Sequence, residues 1–197
     1  MTRVAAAAGD NEAEPNDPLA DPAVHEALLG MARLRIPFRR QRAIPPEDLV
    51  QDTLVWAYAA RAQFRGKTRG QLWGWLSVIL LNRLADRLAE FGKVDRRIVS
   101  IDDLADRSDA LLNIIGRAAP TSPSSNLRIE ERRLILMRAI GRLKTEHATV
   151  VKLRYFEAMP IKAIAALVGT SVPAVSMRLT RALKNLRDDP QDHLDSL

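Results

Sequence analysis

The sequence predicts an all-α protein: two small helical modules joined by a flexible linker. Apolar residues recur at three- and four-residue spacing along most of the chain, and no stretch alternates apolar and polar residues as a strand does. Hydrophobic residues make up 47% of the 197, but aromatics only 5%, so the cores should be built of Leu, Ile, Val and Ala. Charge falls in blocks. Residues 33–69 carry nine Lys/Arg against three acids, a balance of +6, and residues 128–187 carry 13 against four, a balance of +9. Between them, Ser100–Asn126 holds four acids against two bases, a balance of −2.

Residues 1–21, rich in Ala, Asp, Asn and Pro, read as a disordered tail. The first module spans residues 22–95. Its first helix is expected over Pro22–Ala43, with Pro37 ending or kinking it. Pro45-Pro46-Glu47-Asp48 starts a second helix, with proline early and acids in the first turn, running to about Ala62. Phe64–Gly70 reads as a basic loop. Leu72, Leu76, Ile79, Leu80, Leu84, Leu88 and Phe91 then mark a long amphipathic helix. Residues 96–126 read as the flexible acidic linker, closing on the Pro/Ser-rich segment Pro120–Ser125. The second module spans residues 127–188, and residues 189–197 form a tail.

The second module opens with two helices, Leu127–Leu143 and Glu146–Ala158, and ends in the most informative stretch of the chain, Ile164–Leu186. Ile164, Ala165 and Leu167 give a short helix one buried face. Gly169 supplies a sharp turn, because glycine takes positive φ at little cost. Thr170 or Ser171 caps the next helix, and Pro173 is tolerated in its first turn. Val175, Leu179, Ala182, Leu183 and Leu186 form its packing stripe. The opposite face carries Pro173, Ser176, Met177, Thr180, Arg181 and Lys184. It is short and polar first and basic second, an order that suits base edges and then phosphates. This is the pattern of a DNA-binding helix-turn-helix. Arg154, Lys162, Arg178, Arg181, Lys184 and Arg187 are the candidate phosphate contacts. In the first module, Trp73 and Trp75 read either as core residues, the usual place of a lone tryptophan, or, beside Phe64-Arg-Gly-Lys-Thr-Arg-Gly70, as a platform for unpaired DNA, since aromatic faces stack on bases and Arg and Lys hold the strand.

Composition narrows the alternatives. A formal charge of +6 and a pI near 10.1 favour a polyanionic partner. Without cysteine there is no disulfide or thiolate metal site, and His25, His147 and His193 make no ligand spacing. No phosphate loop or catalytic triad pattern appears, so neither enzyme chemistry, a cofactor nor a small-molecule substrate is expected. No apolar run approaches the roughly 18 residues of a membrane span, and the N-terminus makes a poor signal peptide; a reducing cytoplasm fits.

Asp48-Leu-Val-Gln-Asp-Thr53, Phe64-Arg-Gly66, Trp75-Leu76, Ile79 and Asn82 resemble region 2 of sigma-70 family factors. Leu153-Arg-Tyr-Phe-Glu157 and the helix-turn-helix resemble their region 4. The resemblance covers residues 23–92 and 127–187 in the family's order, and the lack of other regions is similar to the extracytoplasmic-function (ECF) group. It implies a subunit that binds core RNA polymerase and directs it to promoter DNA, with an anti-sigma factor as regulator. By resemblance, Asp48, Leu49, Gln51, Asp52 and Thr53 lie on the helix that docks on the β′ clamp. Phe64, Arg65, Lys67, Arg69, Trp73, Asn82, Arg83 and Arg87 belong to the reader of the −10 element. Region 4, with Ser171, Pro173, Ser176, Met177, Arg178, Thr180, Arg181 and Lys184, reads the −35 element and sits on the β flap. The chain departs from the family at Ser176, where a basic residue is frequent, at Met177, where a small polar one is, and at Val172-Pro173. A different −35 preference is expected. The competing reading is a helix-turn-helix regulator that is not a polymerase subunit, with residues 23–92 as an effector or dimer domain.

Overall fold

The computed structural model describes residues 17–92, 101–116 and 126–189. Most of the expected N-terminal tail, the C-terminal tail beyond Asp189 and the Pro120–Ser125 segment lie outside those residues. Among the described residues all regular structure is helical, as the apolar spacing predicts.

Helix α1 (Pro22–Arg35) starts where Asp21 accepts a hydrogen bond from the Ala23 amide at 2.8 Å, with Pro22 in its first turn. It stops one residue before Ile36-Pro37, because proline disfavours a helical residue ahead of it. Helix α2 (Pro46–Ala60) begins on the Pro-Pro-Glu-Asp signal. Helix α3 (Arg69–Ala89) begins earlier than expected. Thr68 and Gln71 form a reciprocal capping box, so Arg69 and Gly70 are helical, not loop.

The stretch expected as a flexible linker is helical in part. Residues Ile101–Ile114 form helix α4. Leu104, Leu111, Leu112 and Ile115 recur at helical spacing and are buried. Asp109 binds Arg133 twice, at 3.0 and 2.5 Å, and Arg107 donates to the Phe156 carbonyl. The mildly acidic segment thus lies on the strongly basic half of the chain.

Helix α5 (Asn126–Arg142) is followed by α6 (Thr145–Val151), α7 (Ile161–Val168) and α8 (Val172–Arg187). The single helix expected over Glu146–Ala158 is broken. After Val151 the chain widens into a π-turn, Lys152–Phe156, and Ala158 takes φ +53° ahead of Pro160.

One apolar core runs through α1–α3 and on into α4, α5, α6 and the end of α8. Its tightest point is the crossing of α1 and α5. A Cβ on Gly30 would lie 1.8 Å from the Met137 carbonyl oxygen, and one on Gly141 would lie 2.0 Å from that of Glu26. The two backbones touch directly. Around this crossing each helix lends a cation to the other side. Arg33 Nη1 donates to the Gly141 and Leu143 carbonyls, both at 2.8 Å, at the end of α5. Glu26 of α1 pairs with Arg142 at 2.5 Å. Lys152 Nζ donates to the Ile36 carbonyl at the end of α1.

Lys152 is 1% exposed. Burial pushes its ammonium down from 10.5 to about 8, against the opposing pull of Glu157 at 3.5 Å. The sign of the consequence follows from proton binding. Below pH 8 both folded and unfolded chains hold the proton, and the cost of burying the charge is fully present. Between pH 8 and 10.5 the unfolded chain holds more protons, so this residue makes stability rise with pH, by about 3 kcal/mol in all. Urea midpoints of the wild type and Lys152→Met at pH 7 and pH 10 test this. The wild type should gain relative to the variant, and parallel curves would show that Lys152 titrates normally.

Candidate nucleic-acid interface

Val150, Leu153, Ile164, Ala165, Val175 and Leu179 close a small core of their own between α6, α7 and α8. Gly169 takes φ +67° and ends α7, and the Thr170 amide returns to the Ala165 carbonyl at 3.0 Å. Ser171 caps α8 by accepting from the Ala174 amide at 3.3 Å, with Pro173 in the first turn. The two helices meet at 103°. That is the geometry of a helix-turn-helix, whose second helix enters a groove.

The face of α8 away from its core is open. Ser171, Pro173, Met177, Thr180, Arg181 and Lys184 are exposed, and Ser176 and Arg178 are half-buried. The structure sorts the cations. Arg178 pairs with Glu146 at 3.5 Å, Arg187 donates to the Ile115 carbonyl at 3.3 Å, and Arg154 donates to the Met159 carbonyl at 3.1 Å. Arg181, Lys184 and Lys162 are exposed. Helix packing therefore leaves Arg181 and Lys184 as the cations of the recognition face best placed to meet a phosphate.

The residues expected at the −10 element divide more sharply. Arg65, Lys67 and Asn82 are exposed. Phe64 is half-buried and packs on Trp75, ring centroids 5.1 Å apart, and Gly66 has no Cβ to obstruct that ring. Trp73 corrects the expectation. It is only 9% exposed, packed in the main core with Leu72 and Leu76, and its faces are not available to a base. Arg69 binds Asp21, the cap of α1, and so ties the start of α3 to the start of α1. Arg83 stacks over the Trp56 ring at 4.3 Å and pairs with Asp86 at 2.7 Å.

Arg87 and Asp52 were expected to face different partners, DNA and polymerase. They bind each other across α3 and α2. On α2, Leu49 and Thr53 are also corrected. Both are buried, and the Thr53 hydroxyl donates to the Leu49 carbonyl at 2.7 Å. Asp48 and Gln51 are exposed. Beside them stand Val55 and Trp56, the latter 53% exposed, which no motif in the sequence singles out. Trp56 lies seven residues after Leu49, at core spacing, so only the tertiary arrangement reveals it as surface.

Among the described residues no single helix is long and apolar enough to cross a membrane. Residues 133–186 match the family model described as Sigma-70, region 4. The matched segment holds most of α5 and all of α6, α7 and the recognition face of α8, so the likeness to sigma-70 factors lies in this part of the chain. No curated protein matches the chain.

Proposed function

We propose that this chain is a sigma factor of the ECF group. It binds core RNA polymerase through the β′ clamp and β flap, recognises the −10 and −35 elements of promoters, and starts transcription in the cytoplasm without chemistry of its own. One observation carries the reading: the segment similar to sigma-70 region 4 exposes a face that is polar, then basic, on the second helix of a pair crossing at 103°. The exposed Asp48 and Gln51 on α2 and the exposed Arg65 and Lys67 before α3 support the other half of it. An anti-sigma factor is the expected regulator. The domain division into residues 22–95 and 127–188 belongs to the same proposal.

Reconstitution tests it. The full chain is mixed with bacterial core polymerase, comigration is measured, and transcripts from genomic DNA are mapped to their starts. Promoter-specific transcripts that depend on the chain are expected. DNA binding without any affinity for core polymerase would instead establish a helix-turn-helix regulator.

The melted strand offers a second test. Replacing Arg65 and Lys67 with alanine should reduce permanganate reactivity in the −10 region several-fold and leave −35 binding unchanged, since two cations at a single-stranded path are lost. Arg69 is kept because Asp21 holds it. Undiminished melting would mean that the loop is only solvated.

A further inference from the structure

We propose that the first two turns of α8 read A·T base pairs, with Met177 seated against the C5 methyl group of a thymine. The proposal rests on the reading of residues 133–186 as a unit that binds duplex DNA.

Base edges in the major groove offer hydrogen-bond donors, acceptors and one apolar group, the thymine methyl. The side chains here match a subset of these. Ser176 donates its hydroxyl hydrogen to the Val172 carbonyl at 3.1 Å, and Thr180 donates to the Ser176 carbonyl at 3.0 Å. A hydroxyl has one hydrogen. Once it is given to the helix, only lone pairs face outward. Such a group accepts from the amino groups of adenine or cytosine and has nothing to give to the O6 and N7 acceptors of guanine. Guanine is most often read by a cation, and Arg178, the cation of these turns, is drawn to Glu146. Arg181 and Lys184 come three and six residues after Arg178, beyond the first two turns.

What remains on this face is apolar. Met177 is 54% exposed, Pro173 lies one turn before it on the same side, and Val172 is exposed at the helix start. A large apolar side chain in water gains by covering itself, and the thioether adapts to irregular surfaces. Against a base edge, the thymine methyl is the surface it fits. A thymine methyl beside an adenine amino group is what a run of A·T pairs presents.

The experiment uses the full chain and a pool of duplex DNA with a randomised central segment. After selection, the enriched duplex is remade with uracil in place of each thymine in turn, which removes only the methyl group. Wild type should lose binding roughly three- to fivefold at one or two positions, the factor for one methyl group taken from water. Met177→Ala should bind thymine and uracil duplexes alike there, and Met177→Leu should keep the discrimination. Met177 is exposed, so both variants fold as the wild type does. A flat uracil scan in the wild type, or an unchanged scan in Met177→Ala, overturns the proposal. So does enrichment of guanine that Arg178→Ala abolishes. If no duplex is enriched at all, the duplex-binding reading itself fails.

Discussion

Gly141→Ala should destabilise the chain by about 3 kcal/mol or more and lower its melting temperature on the order of 10 °C. The added methyl carbon would lie 2.0 Å from the Glu26 carbonyl oxygen. That neighbour is helix backbone, which cannot swing aside as a side-chain end can. The two helices must separate, and their separation loosens the Arg33 bonds to Gly141 and Leu143 and the Arg142–Glu26 pair together. Gly30→Ala, with its Cβ 1.8 Å from the Met137 carbonyl, should behave alike. Gly74 in α3 is the control. Nothing lies within 4 Å of a Cβ there, so Gly74→Ala should stabilise by about 0.5–1 kcal/mol through the unfolded chain alone. Thermal unfolding followed by far-UV circular dichroism ranks the three. A Gly141→Ala variant that melts with the wild type would show that the α1–α5 crossing is loose enough to admit a methyl group.

The largest functional effect is expected from Arg181 and Lys184. Replacing both with alanine should weaken binding to duplex DNA of any sequence, on the order of ten- to a hundredfold at low salt. The slope of log affinity against log salt should become shallower by about 2, one phosphate for each cation. Both side chains are exposed on the side of α8 away from its core, so folding should be unaffected. Arg178→Ala should cost less in slope, because Glu146 already shares that charge. Fluorescence anisotropy across a salt series decides. An unchanged slope would mean that neither residue meets a phosphate. A preference lost at a single base pair would mean that Arg181 reads sequence.

Neighbouring residues dictate much of this architecture. Asp21-Pro22 and Pro45-Pro46-Glu47-Asp48 start helices and Ile36-Pro37 stops one, because capping, fixed φ and first-turn charge act within one turn of chain. Gly169 and Ser171 shape the helix-turn-helix for the same reason, and the outward face of α8 follows from the stripe Val175, Leu179, Ala182 and Leu186. The Thr68–Gln71 capping box is equally local, and so is the stripe Leu104, Leu111, Leu112 and Ile115, although the composition of that stretch reads as a linker.

The rest depends on residues far apart in sequence. Trp56, Trp73 and Trp75 are alike as letters, yet one is surface, one core and one stacked on Phe64, according to which helix lies over each. Whether Arg69 or Arg87 is available to DNA turns on Asp21 and Asp52, which folding brings to them. Gly30 and Gly141 look like weak points of their helices until the two backbones meet. Local sequence determined where helices begin, end and turn their apolar faces, because those choices are decided within a turn or two of chain. Tertiary structure alone decided which polar groups are spent on one another and which remain for a partner, because pairing and burial are set by contacts between elements that no local spacing encodes.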